Sequence, residues 1–235
     1  MTEDDLPIEV GDIIKERYKI VRIIARGERG AIFCALDGQM KQIAIKFEQQ
    51  SIEQTAVSVE AAILKILAGE THIPQFYQYG VHLNCKFLAM KLMGPNLIEL
   101  VNYKRPYKFS LNSILKFGIQ AIEALQVVHN KGIVHRDIKP GNFLIGNSHD
   151  TKGIIKLIDF ELCKKIHKVD GIITKPTNKA NFRGALMYAS SNVHNNVDLG
   201  RNDDLISLLY ILVEFHNGML PWSDIDDIQK KKKLI

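Results

Sequence analysis

Apolar residues come in short strand-like runs at the start of the chain and at helical spacing later. "YKIVRIIA" and "AIFCALD" flank "RGERG", which predicts two strands joined by a glycine-bearing turn, and "QIAIKFE" reads as a third strand. "TAVSVEAAILKILAG" then shows helical spacing and stops at Gly69, a natural C-cap. "KFLAMKL" returns to strand character before "MGPN" breaks the pattern at Gly94-Pro95. Beyond that break, "SLNSILKFGIQAIEALQVVHNKG" opens on Ser110 as N-cap and carries Leu111, Leu115, Ile122 and Leu125 along one expected stripe. Two strand-like runs follow, "NFLIG" and "IIKLID", then a polar segment without periodicity, "KVDGIITKPTNKANFRG". "LISLLYILVEF", Leu205–Phe215, reads as a buried core helix, too short to span a bilayer. The pattern predicts an α+β chain, a small β-rich lobe before a larger helical one, with the joint near Lys91–Pro95.

Composition narrows the function classes. Of 235 residues, 46% are hydrophobic and 24% charged, as in ordinary globular proteins. The net charge is +5, and four of those positives are Lys230 to Lys233; taking four from five leaves only +1 elsewhere. A basic groove for nucleic acid is therefore not indicated. The lysine run reads as a nuclear signal or a solvated helix face. Three distant cysteines, Cys34, Cys85 and Cys163, suit neither a disulfide framework nor a zinc site and imply reduced thiols in a cytoplasmic or nuclear protein. "MTEDDLP" lacks the pattern of a signal peptide, so residues 1–9 are expected to be an acidic extension, and no membrane association is expected.

The chemistry concentrates in "VHRDIKPGNFLIG" and "LIDF". Asp137 and Asn142 sit on one irregular loop, an arrangement that turns a carboxylate to a substrate hydroxyl and an amide oxygen to a metal. Asp159 adds a hard oxygen ligand of the kind magnesium takes, and Lys139 is placed to neutralise a transferring phosphoryl group. In "IAIKFE", Lys46 is a cation inside an apolar strand, costly unless paired, and Glu60 on the next helix is its natural partner. A lysine held so grips nucleotide phosphates. Gly27 and Gly30 in "IARGERGAI" let backbone amides approach phosphates, although Ala25 stands where such a loop usually has its first glycine.

These motifs resemble the casein kinase 1 group of protein kinases, and most closely its tau-tubulin kinase branch. "HRDIKPGNF" is similar to that group's catalytic loop, "FRGALMYASSNVH" to its substitute for the Ala-Pro-Glu segment, and "GRNDDLISLLYILVEFHNGMLPW" to the tau-tubulin branch. The resemblance runs from about Val10 to the end. It implies a two-lobed kinase domain over 10–235, with the N-lobe at about 10–92, the hinge at about 91–94 and the C-lobe at about 95–235. It further implies ATP with Mg2+ in the cleft and transfer to serine or threonine of a protein, with tubulin or a microtubule-associated protein as a cytoskeletal target. Asp137 takes the base role, Asn142 and Asp159 the magnesium, and Lys46 the α- and β-phosphates. Ile24, Ile32, Ala44 and Leu144 would sandwich the adenine, with Met90 as gatekeeper and Lys91, Leu92 and Met93 as the hinge. Leu64, His135 and Phe160 would form a hydrophobic spine, and Asp204 would anchor the catalytic-loop backbone.

Besides Ala25, four positions depart from the group's pattern. Glu161 replaces the glycine after Asp159-Phe160, Arg29 the aromatic at the glycine-loop tip, Ala185 a steadying threonine, and Met187 a phosphate-binding arginine. A complete kinase of this group continues through further helices that "DIDDIQKKKKLI" barely begins. The C-lobe is therefore expected to lack its last helices, through natural truncation, a gene-model error or fragmentation. The apolar faces of Ser110–His129 or Leu205–Phe215 are then expected to be exposed. Two function classes stay open: an active serine/threonine kinase, and a pseudokinase that keeps the fold and binds a partner. The oligomeric state is left open.

Overall fold

Side-chain alternation organises the first half of the chain. The structure, a computed structural model, describes residues 6–27, 30–49, 55–103, 108–166, 168–169, 172–173 and 186–225. Arg29, Ala185, the first four residues of "FRGALMYASSNVH" and the segment from 226 onward, all singled out above, lie outside them. β1 (Ile13–Ile14), β2 (Tyr18–Gly27), β3 (Gly30–Leu36), β4 (Gln42–Gln49), β5 (Phe76–His82) and β6 (Cys85–Lys91) form an antiparallel sheet in the order β1-β2-β3-β4-β6-β5. Ile43, Ile45 and Phe47 take one face of β4 and join Tyr18, Phe33 and Phe87 in a buried cluster. There Phe47 meets Phe33 edge-on at 5.7 Å and Phe87 at 6.0 Å between ring centroids. Ala44 and Lys46, one residue out of phase, take the opposite face.

α1 (Ala56–Ile66) begins where two side chains satisfy its first amides. The Thr55 hydroxyl accepts from Ser58 N–H at 3.3 Å, and the Glu48 carboxylate accepts from Val57 N–H at 2.8 Å. A carboxylate there also faces the positive end of the helix dipole. The helix buries Val57, Glu60, Ala61, Ile63 and Leu64.

The chain divides into two units, one comprising residues up to Gly69 with Ile73–Met93, the other Glu70–His72 with Gly94 onward. The first is β-rich and the second mostly helical. Residues 70–72, expected within the N-lobe, belong to the second unit. His72 Nδ1 bonds the Ile155 carbonyl at 2.9 Å, Leu157 N–H donates to His72 O at 2.9 Å, and Lys156 Nζ donates to Thr71 O.

The second unit contains α2 (Leu97–Asn102), α3 (Leu111–Asn130), β7 (Ile133–Val134), β8 (Phe143–Ile145), β9 (Ile155–Leu157), β10 (Lys164–Lys165), β11 (Lys168–Val169), β12 (Ile172–Ile173), α4 (Ser191–His194) and α5 (Arg201–Asn217). The β8–β9, β7–β10 and β11–β12 pairs are antiparallel. Neither α2 nor β5 is anticipated by the apolar pattern. α2 is only six residues long, and β5 is half-buried along most of its length instead of alternating.

The apolar stripe of α3 is largely exposed, as expected above for the face of Ser110–His129. Leu125 is buried, but Leu111, Leu115 and Ile122 are exposed at 59%, 57% and 52%. The buried face carries Ile114, Phe117, Gly118, Ala121, Ala124, Leu125 and Val128. Small residues there admit α5: a Cβ added at Gly118 would touch Leu212 Cδ2 at 3.4 Å. Likewise α5 is not buried all round, since Leu208, Ile211 and Phe215 face inward while Leu205 and Leu209 are exposed. Among the described residues there is no disulfide, and no helix is long and apolar enough to cross a membrane.

Candidate active site

Two carboxylates order the loop after α3. Asp204, 1% exposed in the first turn of α5, accepts from His135 N–H through Oδ2 and from Arg136 N–H through Oδ1, each at 2.8 Å. His129, in the last turn of α3, bonds the same Oδ2 through Nε2 at 2.8 Å. These contacts hold Arg136 in the left-handed region, φ +70°, which a non-glycine residue seldom adopts. The turn that results delivers Asp137, 5% exposed, to the next position.

Around Asp137 the expected residues assemble. Its Oδ2 accepts from Lys139 Nζ at 2.6 Å and from Asn142 Nδ2 at 3.2 Å. Asn142 Nδ2 also donates to the Asp137 carbonyl at 2.8 Å. The amide nitrogen is thus spent inside the loop, and Oδ1 remains as the donor Asn142 can offer a cation. Ile158 N–H donates to Asn142 O at 3.0 Å, tying this loop to the residue before Asp159. His135 makes the second tie. Asp137 N–H donates to its Nδ1 at 3.3 Å, so Nε2 carries the proton and donates to Ile158 O at 3.1 Å. Its ring also meets Phe160 edge-on at 5.1 Å, and both residues are fully buried.

Asp159 has φ +68° and ψ +65°, and Phe160–Leu162 then forms a 3-10 turn. Glu161, half-buried, lies in this turn, and its carboxylate comes within 4.8 Å of the Asp159 carboxylate. Arg136 Nε donates to Leu162 O at 2.5 Å, so the turn after Asp159 is fastened to the loop that holds Asp137. Asn142 and Asp159 together present an amide oxygen and a carboxylate, a hard-oxygen donor set that fits magnesium. Leu144, also in the second unit, is half-buried on β8 and bridges Asn96.

The first unit groups its own set. Strand register places Ile32 opposite Lys46 and Ala44 opposite Met90, so these four share the face opposite the Phe33–Phe47 core. Lys46 Nζ lies 3.0 Å from Glu60 Oε2, with the side chains 16% and 2% exposed. Ile24, at the register shift between Ile23 and Ala25, is 41% exposed. Leu92 and Met93 are buried, and Lys91 N–H donates to Gln75 O at 2.8 Å. The two glycines differ. A Cβ at Gly30 would fall 2.1 Å from Phe47 O, so strand approach itself demands glycine, whereas one at Gly27 would meet only Gly30 O at 3.8 Å.

Several structural partners escaped sequence reading. Asp203 accepts from Ser190 Oγ at 2.5 Å, Asn192 Nδ2 at 2.9 Å and Gly200 N–H at 2.7 Å, joining α4 to α5. Lys164 pairs with Asp198. Met187, noted as a departure, is held by its backbone: Trp222 Nε1 donates to its carbonyl at 2.9 Å. Tyr188 donates to Glu214 Oε2 at 2.8 Å, and burial raises both groups above their ordinary pKa ranges. None of these follows from local sequence, because each pairs residues more than ten positions apart or uses a backbone atom.

Two comparisons bear on this geometry. The chain matches the protein kinase domain over residues 18–235. Over 218 residues it is 40% identical to a Dictyostelium discoideum protein named "Probable serine/threonine-protein kinase", a match covering 92% of this chain and 44% of that protein. The chain thus spans less than half the length of that relative.

Proposed function

Because the chain belongs to the protein kinase family, we propose that it transfers the terminal phosphoryl group of ATP to serine or threonine hydroxyls of proteins. The observation that carries this reading is the Asp137 loop, a buried carboxylate with an ammonium at 2.6 Å and its backbone clamped by Asp204. Asp137 takes the proton from the substrate hydroxyl as that oxygen attacks phosphorus. Lys139 holds the Asp137 carboxylate and offsets charge on the transferring group. Lys46, oriented by Glu60, binds the α- and β-phosphates. Ile24, Ile32, Ala44, Met90, Leu92 and Leu144 receive the adenine, and Gly27 and Gly30 let the backbone near the phosphates.

Asn142 Oδ1 and the Asp159 carboxylate would hold magnesium, which when bound would neutralise charge on the phosphates. The finer reading, from the tau-tubulin resemblance, is a cytoplasmic enzyme acting on tubulin or a microtubule-associated protein. The test is purified protein with ATP labelled at the terminal phosphate, magnesium, and either casein or tubulin. Label on serine or threonine of the added protein is expected; its absence from both would remove the reading.

Glu161 favours a second reading, a pseudokinase. A second acid two residues past Asp159, in a turn where a glycine is usual, adds negative charge close in sequence to the proposed metal ligand. Bound ATP without transfer is its signature.

A further inference from the structure

The second unit contains a cavity that phosphoryl transfer does not use. Its volume is about 340 Å3, and Leu97, Leu100, Phe109, Ile114, Phe117 and Phe215 form its apolar wall. The cavity opens to the surface, and ligand sites typically have volumes of roughly 300–1,000 Å3. The wall is stiffened by aromatic contacts. Phe215 packs against Phe109 at 4.8 Å and Phe117 at 5.8 Å, and Phe117 meets Phe143 edge-on at 5.0 Å.

The polar side chains around it sort by what they already do. Gln120 Nε2 donates to Gly153 O at 3.1 Å, and its Oε1 accepts from Ile155 N–H at 2.9 Å, so both ends of the amide serve the backbone at β9. Ser113 shares a hydroxyl hydrogen bond of 2.9 Å with Ser110. Lys116 is exposed on α3 and lines the same cavity, placing a positive charge at its edge. An extended peptide would bring amide groups that this wall cannot satisfy. A hydrocarbon body with one anionic end matches both the wall and its edge.

We propose that this cavity binds a free medium-chain fatty acid, its chain against the three phenylalanines and its carboxylate at Lys116. At about 340 Å3 the cavity lies near the low end of ligand-site volumes, which suits a medium-length hydrocarbon chain and not a long or bulky one. The site lies apart from Asp137 and stands whether or not the chain is catalytic.

The test is calorimetry of the 235-residue protein with the even-numbered carboxylates from hexanoate to tetradecanoate, below micelle formation. Affinity should rise about fourfold per methylene while the chain fits, then level off near dodecanoate. Leu100→Trp, which fills the cavity, should weaken dodecanoate binding at least tenfold. Lys116→Glu, on the surface, should weaken dodecanoate several-fold and leave dodecanol unchanged, so the proposal stays testable even if Leu100→Trp fails to fold. ATP affinity should be the same in Lys116→Glu and the parent. Affinity climbing without a break through tetradecanoate would overturn the proposal. So would an equal response of acid and alcohol to Lys116→Glu, or no binding at all.

Discussion

Asp204 holds Arg136 in a left-handed backbone conformation by accepting its amide at 2.8 Å, while its other oxygen accepts the amide of His135. Replacing Asp204 with alanine strands two buried N–H donors, each worth about 1–3 kcal/mol when unsatisfied. Asp204→Ala should therefore lose about 2–6 kcal/mol of stability by urea denaturation and also lose activity. A variant that melts like the parent would show that the loop does not depend on this carboxylate.

The Lys46–Glu60 pair makes a separate prediction. Glu60 is 2% exposed at the side chain, so removing Lys46 takes a cation away from a buried carboxylate. Lys46→Met should cost about 3–5 kcal/mol and weaken ATP binding, whereas Lys46→Met with Glu60→Leu should recover much of the stability but not the binding. Recovery of both would remove Lys46 from the phosphate site.

The glycines of the β2–β3 turn should separate cleanly. Gly30→Ala forces a methyl to 2.1 Å from Phe47 O and should destabilise by about 1–3 kcal/mol. Gly27→Ala meets nothing closer than 3.8 Å and should melt like the parent. Thermal unfolding of the two variants side by side decides the point.

Much of this was legible in the sequence because it is local. The β2–β3 pair, the cap at Ser110 and the catalytic loop all lie within a few residues of their signals. Exposure of Leu111, Leu115 and Ile122 on α3 was expected, but the buried face was not read, because Gly118, Ala121 and Ala124 carry little hydrophobic signal. Close helix approach rewards small size instead, and that preference depends on α5, nearly a hundred residues on. Asp204 was legible only through family resemblance, and its contact with His129 not at all.

Stability should depend on pH through Glu214. Burial raises its pKa above the usual carboxylate range, with the Tyr188 hydrogen bond opposing in part. A raised folded value means the protonated form is favoured in the fold. This contribution is therefore complete below the unfolded pKa of about 4.3 and is lost as pH rises through the folded value. Glu214→Gln, which still accepts from Tyr188, should be no less stable than the parent at pH ~7.5 and lose that advantage at pH ~4. Urea melts at the two pH values provide the comparison, and a variant favoured only in acid would reverse the sign.

Phosphotransfer by the parent chain against Asp137→Asn, with ATP affinity measured on both, tests the central claim most directly. Asp137 acts on the hydroxyl and not on ATP, so the variant should bind ATP nearly as well and transfer about a hundred- to ten-thousand-fold more slowly. Equal transfer by the two proteins would contradict the account, as would a parent that binds ATP and transfers nothing, the outcome that assigns the chain to the pseudokinases.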